Sequence, residues 1–421
     1  MFEIQGKYTK AKVFATEVED EAKAQIEALC NQSWLEGCNI AVQADTHAGK
    51  GCTIGTTIAL QDKVAPSLVG ADLGCGMLVV NIPDEFDINF AEVDGYISTY
   101  ANNNQELQYD DLYDLFNQLN CKNALHNIDY LALSCGTLGS GNHFCEIDKN
   151  AQGQCQLVIH SGSRNLGQQV AEYYLDLADE YCNHTQADWK AAQAQLITDL
   201  KAQDRQKEIQ AQLEVFRANY SCVRKLPREL CYLEGEAKVQ YLHDAAICNK
   251  YARLSRLSLA KRILEVISHG QVQVQEIKDS GFSFQFEDGV LSTGFETIHN
   301  YIGEDNILRK GAISARKGEK VIIPINMRDG SVIAIGKGNP DYNYSGPHGA
   351  GRLMSRTAAK NNLAIQEFQK SMEGVYTSSV GETTIDEAPM AYKPIESILA
   401  NIQDTVEVID IIKPVYNYKA H

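Results

Sequence analysis

The sequence predicts an α+β fold, on three observations. Short apolar runs punctuated by glycine fill residues 1 to about 164 and return after residue 270. Between roughly 165 and 268, glycine is scarce and apolar residues recur at spacings of three and four. No unit of strand, glycine loop and helix repeats, which argues against a parallel doubly wound sheet. Strand texture on both sides of a helical block implies one composite domain over 1–421, with a helical segment, 165–268, inserted in it. Length alone, 421 residues, would allow two or three domains.

In the first region, "GMLVVNI" (76–82) and "CQLVIH" (155–160) read as strands. The middle region holds "VAEYYLDLADEYCNH" (170–184), "WKAAQAQLITDLKAQDRQKEIQAQLEVFRANY" (189–220) and "AKVQYLHDAAICNKYARLSRLSLAKRILEVI" (237–267). These are helix formers, expected to lie on a core or project from it. After residue 270, "VQVQEI" (272–277), "FSFQFE" (282–287), "KVIIPINM" (320–327) and "SVIAIGKG" (331–338) read as strands again. The tail, "VEVIDIIKPVYNYKAH" (406–421), ends strand-like. There is no internal repeat and no low-complexity segment.

Composition bounds the function. Hydrophobic content of 44% and charged content of 22% fit an ordinary globular chain. No apolar run is long enough to cross a bilayer. The opening "MFEIQGKYTKAKVF" lacks the zones of a signal peptide, so a cytoplasmic location and no membrane partner are expected. The 12 cysteines form no CxxC pair, so they are expected to be reduced and mostly buried, without a zinc ribbon. A net charge of −17 argues against whole-surface binding to nucleic acid, but not against a local basic groove. Two basic islands, Lys250, Arg253, Arg256, Lys261 and Arg262, then Arg309, Lys310, Arg316, Lys317 and Lys320, are either such a groove or solvated faces.

Five of the 10 histidines share one context. His47, His143, His160, His299 and His348 each sit where a strand runs into a turn rich in Gly, Ser or Asn. Small neighbours let a phosphate or a metal approach the backbone. His126, His184, His243, His269 and His421 lie in helical or terminal text and read as structural. In "VGADLGCGM", Asp72 and Cys75 stand three apart in a turn bracketed by Gly70, Gly74 and Gly76. The segment is either a turn aspartate beside a buried cysteine or part of a divalent-metal shell completed by imidazoles. Zinc, manganese and iron all suit such a mixed donor set.

Eight features occur in order along the chain. They are "DTHAGKGCTIG" (45–55), "VGADLGCGM" (69–77), "GTLGSGNHFCEI" (136–147), "HSGSRNLG" (160–167), "IHNY" (298–301), "GPHGAGRLMSR" (346–356), "DEAPMAYK" (386–393) and Lys419. Each alone is weak. Together they closely resemble the RNA-splicing ligase RtcB family over nearly the whole chain.

That resemblance implies an RtcB-type composite fold, with mixed β-sheets around a metal-bearing cleft. It implies an RNA ligase that uses GTP and two manganese ions. The reaction joins RNA 3′-phosphate or 2′,3′-cyclic phosphate ends to 5′-hydroxyl ends through a histidine–GMP intermediate, in RNA repair or tRNA splicing. Some relatives also use an accessory activating protein. By the same resemblance, His348 is the nucleophile. Asp72, Cys75, His143, His160 and His299 are metal ligands. Nucleotide contacts fall on Asn142, His143, Phe144, Cys145 and Glu146, on His299, Asn300 and Ser331, and on His348, Gly349, Ala350 and Gly351. Tyr392 and the loop Pro324, Ile325, Asn326 and Met327 join them, and Lys419 reads guanine.

The residues suit that chemistry. Nucleotidyl transfer needs charge neutralisation and in-line positioning. A neutral imidazole at His348 can attack a phosphorus, and Gly349 and Gly351 clear space around it. Asp45, His47 and Lys50 either contact RNA phosphate or brace the metal shell, and Arg164 is a further candidate for RNA phosphate. Arg352 and Arg356 either steady phosphates or tether a helix to acidic core groups. The chain departs from the family at Pro324–Met327, where many members carry Pro-Gly-Ser-Met, and in the small residue after His47, which suggests a divergent branch. Two other readings are a metal-dependent RNA-end phosphodiesterase or phosphatase without a nucleotide intermediate, and a non-catalytic RNA-binding protein. Joint presence of His348 and Lys419 favours ligation over both.

Overall fold

The computed structural model describes residues 1–100, 109–221, 224–277 and 281–420, so His421 lies outside the described residues. Helices and several sheets mix, as the sequence predicts. A nine-stranded sheet runs in the order Lys320–Asn326, Gly330–Gly336, Val406–Lys419, Phe144–Lys149, Cys155–Ser161, Gly76–Ile82, Leu291–Ile298, Gly281–Phe286 and Val272–Ile277. Every neighbouring pair in it is antiparallel. A six-stranded sheet runs Phe2–Gln5, Lys10–Val13, Asn39–His47, Ile54–Ala59, Ile307–Lys310 and Asn300–Ile302. Its one parallel pair is Lys10–Val13 beside Asn39–His47. A ribbon pairs Ala312–Ser314 with Ser345–Pro347.

The large sheet is apolar on both faces because each strand alternates its side chains. Leu78, Val80 and Ile82 join one core, and Met77 and Val79 join another. That second core also contains Ile322 and Ile333 from the far end of the strand order. Ile322 N–H donates to Thr297 Oγ1 at 3.2 Å, so the sheet curls over its own face. Register shifts at Ile333/Ala334 and Pro414/Tyr416 assist the curl, since bulges bend a strand. Pro414 lacks an N–H for the ladder, and such a shift is where a central strand tolerates it.

The block 165–268 contains two physically different parts. Helices Thr185–Ala202 and Ile209–Asn219 bury only Leu200 between them, so they project. The continuous helical texture over 189–220 is broken at Asp204, which takes a left-handed φ of 55°. Helix Gly235–Ser268 instead spans the interior. Its first half, with Tyr241, Cys248 and Tyr251, packs in the same core as Leu166, Val170 and Tyr174. Its second half, with Leu259, Ile263 and Leu264, covers the large sheet. No helix among the described residues is long and apolar enough to cross a membrane.

The basic islands divide: Arg256, Arg262, Arg309 and Lys310 are buried, whereas Lys250, Arg316, Lys317 and Lys320 stay exposed. Arg256 is fully buried and grips Glu296 at 2.5 and 2.8 Å. Its remaining nitrogen donates to Gly74 O at 2.9 Å and Ser161 O at 2.6 Å. Arg253 pairs with the other Glu296 oxygen at 2.8 Å, and Arg262 donates to Gly136 O. In the second island, Arg309 and Arg316 share Asp305, and Lys310 donates to the carbonyls of Lys50 and Ser67. Arg256, Arg262 and Arg309 are thus committed to groups inside the fold.

Breaking one side of a buried ion pair strands the other charge. Arg256→Met is therefore expected to cost about 3–5 kcal/mol in urea unfolding. The double change Arg256→Met with Glu296→Met is expected to cost less than the single one. A loss from the single change no larger than a surface substitution gives would remove Arg256 from this role.

Candidate functional site

Neighbouring strands deliver one cluster. Cys75 immediately precedes strand Gly76–Ile82, and His160 lies in strand Cys155–Ser161, which pairs with it. His143 immediately precedes strand Phe144–Lys149, whose Phe144 pairs with His160. His299 follows strand Leu291–Ile298, and its N–H donates to Cys75 O at 2.9 Å. Asp72 sits in the turn before Cys75 and accepts Ser163 N–H at 3.1 Å. It presses so closely on Gly162 that a Cβ there would lie 2.1 Å from Asp72 Oδ1. Only glycine fits between them.

The donor atoms converge. Cys75 Sγ lies 3.3 Å from His160 Nε2 and 3.5 Å from His143 Nε2, which is 3.0 Å from Asp72 Oδ2. Two triads result, Cys75 with His160 and His299, and Asp72 with Cys75 and His143, each with donor atoms within 4.8 Å of one another. The shared thiol makes them adjacent. Hydrogen bonding assigns the tautomer of His160, whose Nδ1 meets Asn142 O at 3.2 Å, so its Nε2 lone pair faces the cluster. His143 Nδ1 lies between Leu138 O at 2.9 Å and Arg164 Nη1 at 3.1 Å, and its Nε2 meets Asp72.

Electrostatics agree with a site for cations. Burial, then neighbouring positive groups, holds His160 and His299 well below the ordinary histidine pKa, so both imidazoles are neutral and able to ligate a cation. Burial alone would raise the Asp72 carboxyl, but the hydrogen bond and charge of His143 outweigh it and keep it low. Burial, reinforced by Asp72, pushes the Cys75 thiol well up; a nearby dication reverses that tendency. His299 Nδ1 is buried with no hydrogen-bond partner, an orphan that a metal ion would satisfy. Three imidazoles, one of them with an inward lone pair and another with an orphaned nitrogen, together with one carboxylate and one thiol, form donor groups that could hold divalent metal.

His348 stands beside this cluster. It follows strand Ser345–Pro347, and its ring centroid is 4.9 Å from that of His299. Asp45, fully buried, accepts both His348 Nδ1–H at 2.8 Å and His348 N–H at 3.2 Å. The Nε2 lone pair is thereby left free. Gly351, at φ +74°, lets the loop close on Asp45, where a Cβ would lie 2.8 Å from Asp45 O.

A family model described as tRNA-splicing ligase RtcB matches residues 25–102 and 120–420. The chain belongs to the RtcB family. It is 30% identical over 404 residues to the RNA-splicing ligase RtcB of Escherichia coli, covering 90% of this chain and 89% of that one. Identity is 31% over 414 residues to the RNA-splicing ligase RtcB1 of another Escherichia coli strain, with the same coverage. The tRNA-splicing ligase RtcB of Methanopyrus kandleri is 25% identical over 293 residues, 64% of this chain and 28% of that one.

In this RtcB-family chain, one pocket gathers most residues singled out from the sequence. Asn142, Phe144, Glu146, His160, His299, Tyr392 and Lys419 line it, together with Pro324, Ile325, Asn326 and Met327 and with His348, Gly349, Ala350 and Gly351. His47 also reaches it. Other expectations need correction. Cys145 joins a core containing helix residues Leu259 and Ile263, because successive residues of a strand face opposite sides. Ser331 is fully buried and does not line the pocket. Asn300 turns back to accept Gly311 N–H at 2.9 Å, and with Lys50 it lines a different pocket. Asp45 lies buried beneath His348 rather than at an RNA phosphate or in the metal shell. Arg164 reaches His143 Nδ1 at 3.1 Å, on the side of that ring facing away from the cluster. Arg352 lines the pocket, but its guanidinium is engaged by Glu387 at 3.3 Å. Arg356 also binds Glu387, at 2.6 Å, and Asp386 at 2.7 Å. The two arginines therefore tether acidic groups.

Glu387 was missed by sequence reasoning. It accepts Lys419 Nζ at 2.8 Å and Tyr392 O–H at 2.6 Å. Burial would raise its carboxyl, but the charges of Lys419 and Arg356 prevail and bring it to about 2. Its signal was its place in "DEAPMAYK", yet the chain distance to Lys419 hid the pairing.

Glu146 behaves oppositely. Burial raises it from 4.5 to about 7, although Asn417 Nδ2 donates to it at 2.6 Å and Lys419 also acts to lower it. A raised carboxyl contributes stability that is fully present below 4.5 and is lost as pH climbs through about 7. Glu146→Gln removes that loss and can keep the Asn417 bond. Its urea unfolding is expected to match wild type near about pH 5, and to exceed it by on the order of 2–3 kcal/mol above about pH 8. Parallel pH profiles for the two proteins would refute the assignment.

Proposed function

We propose that the chain is a GTP- and manganese-dependent RNA ligase. It joins 3′-phosphate or 2′,3′-cyclic phosphate ends of RNA to 5′-hydroxyl ends, with His348 as nucleophile. The observation that carries the reading is the Asp45–His348 pair at 2.8 Å beside the Cys75 cluster. Membership of the RtcB family and the names of the Escherichia coli and Methanopyrus kandleri relatives support it.

Asp45 holds the Nδ1 proton, so Nε2 attacks the α-phosphorus of GTP and pyrophosphate leaves. The resulting phosphoramidate is displaced by an oxygen of the RNA 3′-phosphate, which frees Nε2 and activates that end. The 5′-hydroxyl then attacks the activated phosphorus, and GMP leaves. A cyclic phosphate must first be hydrolysed to a 3′-phosphate. Asp72, Cys75, His143, His160 and His299 would hold the manganese ions, which would supply charge neutralisation at the phosphates. Lys419, steadied by Glu387, donates to the guanine.

Two predictions test this. Purified protein incubated with manganese and α-labelled GTP is expected to carry acid-labile label, lost on chelation and absent in His348→Ala. Label persisting in that variant would mean another nucleophile. Asp45→Asn is expected to fold normally and to slow labelling by about 10²-fold or more, because the tautomer is no longer fixed. A rate within about twofold of wild type would deny Asp45 its part.

A further inference from the structure

Away from the His348 pocket, two cysteines differ from the rest. Cys182 lies one residue before the end of helix Arg164–Asn183, and Cys231 lies in the turn ahead of helix Gly235–Ser268. Each thiol touches the chain neighbour of the other, which sets the two side by side, while their own S–H groups point to Tyr232 O and Pro227 O. Tyr232 N–H approaches Cys182 Sγ at 3.4 Å, and Asn183 Nδ2 donates to Cys231 Sγ at 3.2 Å. Cys182 is half-buried, so a small oxidant reaches it, while Cys231 lies buried behind it. Neither lines the pocket of His348.

This is the environment of a reactive thiol with a resolving partner. Donors gathered on a sulfur favour the thiolate there. The neighbouring Cys231 thiol is the main cause that brings Cys182 down to about 7, and Cys231 moves upward in response. By contrast, burial raises Cys30, Cys38, Cys52, Cys121, Cys135, Cys145 and Cys248, as expected for inert core thiols.

We propose that Cys182 and Cys231 are an oxidative modification site, forming a reversible disulfide with a hydroperoxide as oxidant. Cys182 thiolate attacks one peroxide oxygen, the O–O bond breaks, and hydroxide leaves and takes up a proton. The sulfenic acid left on Cys182 is then attacked by Cys231 Sγ. The S–S bond forms, the S–O bond breaks, and the departing hydroxide leaves as water with the Cys231 proton. Both sulfurs are oxidised and the peroxide is reduced to water. The bond would tie the two ends of the excursion 183–230, which carries the projecting helices, and so clamp it at its base. Nothing in this rests on the ligase reading.

The experiment uses the full chain. Reduced protein is treated with equimolar hydrogen peroxide, blocked with an alkylating agent, digested without reductant and mapped by mass spectrometry. A peptide pair joined through Cys182 and Cys231, released by dithiothreitol, is expected to be the first product. Cys182→Ser should abolish it. Cys231→Ser should leave a Cys182 sulfenic acid that a cyclic diketone probe traps. A first disulfide through Cys222, cross-linking between molecules, oxidation that begins at other thiols, or zinc found bound to these two cysteines would each overturn the proposal. Mapping the wild-type protein decides the matter even if Cys231→Ser folds poorly.

Discussion

A single buried guanidinium holds the centre of this molecule together. Arg256 sits beneath the cluster with no solvent exposure, bonded at once to Glu296, Gly74 O and Ser161 O. Burying a charge is costly unless every donor is matched. Here the matching groups belong to three of the four segments that carry the cluster. Gly74 adjoins Cys75, Ser161 adjoins His160, and Glu296 lies three residues before His299. The need to satisfy one cation in a dry interior therefore fixes the relative positions of three donor side chains.

From that constraint the chemistry of the cleft follows. Burial keeps His160 and His299 neutral, and a backbone carbonyl takes the Nδ1 proton of His160. Asp45 does the same for His348, at the opposite edge. One device, a fixed acceptor at Nδ1, thus serves both a ligand imidazole and the candidate nucleophile. On the far wall a different device operates. Glu387 gathers Lys419, Arg352, Arg356 and Tyr392, so positive charge is placed near the pocket without leaving it uncompensated. That solution suits a chain whose net charge is −17.

Much of the architecture was legible because it is locally encoded. Strands such as Gly76–Ile82 and Cys155–Ser161 coincide with apolar runs, and helix Gly235–Ser268 coincides with a stretch rich in helix formers. The texture over 189–220 misled about continuity, since one left-handed aspartate suffices to break a helix and leaves little trace in composition. The basic islands misled about direction. Whether an arginine faces water or a buried carboxylate depends on Glu296 or Asp305, which lie far from Arg256 or close to Arg309 along the chain with no common pattern.

The sequence by itself determined the inventory: which histidines sit in small-residue turns, that Asp72 and Cys75 share one turn, and the ordered motifs that mark the family. These are properties of neighbours along the chain, so local composition records them. Only the tertiary structure decided the pairings, such as Asp45 under His348, Glu387 on Lys419, and Asn300 and Cys145 turned away from the pocket. Such pairings depend on strand register and sheet curl, which bring together residues hundreds of positions apart, and no local pattern carries that information.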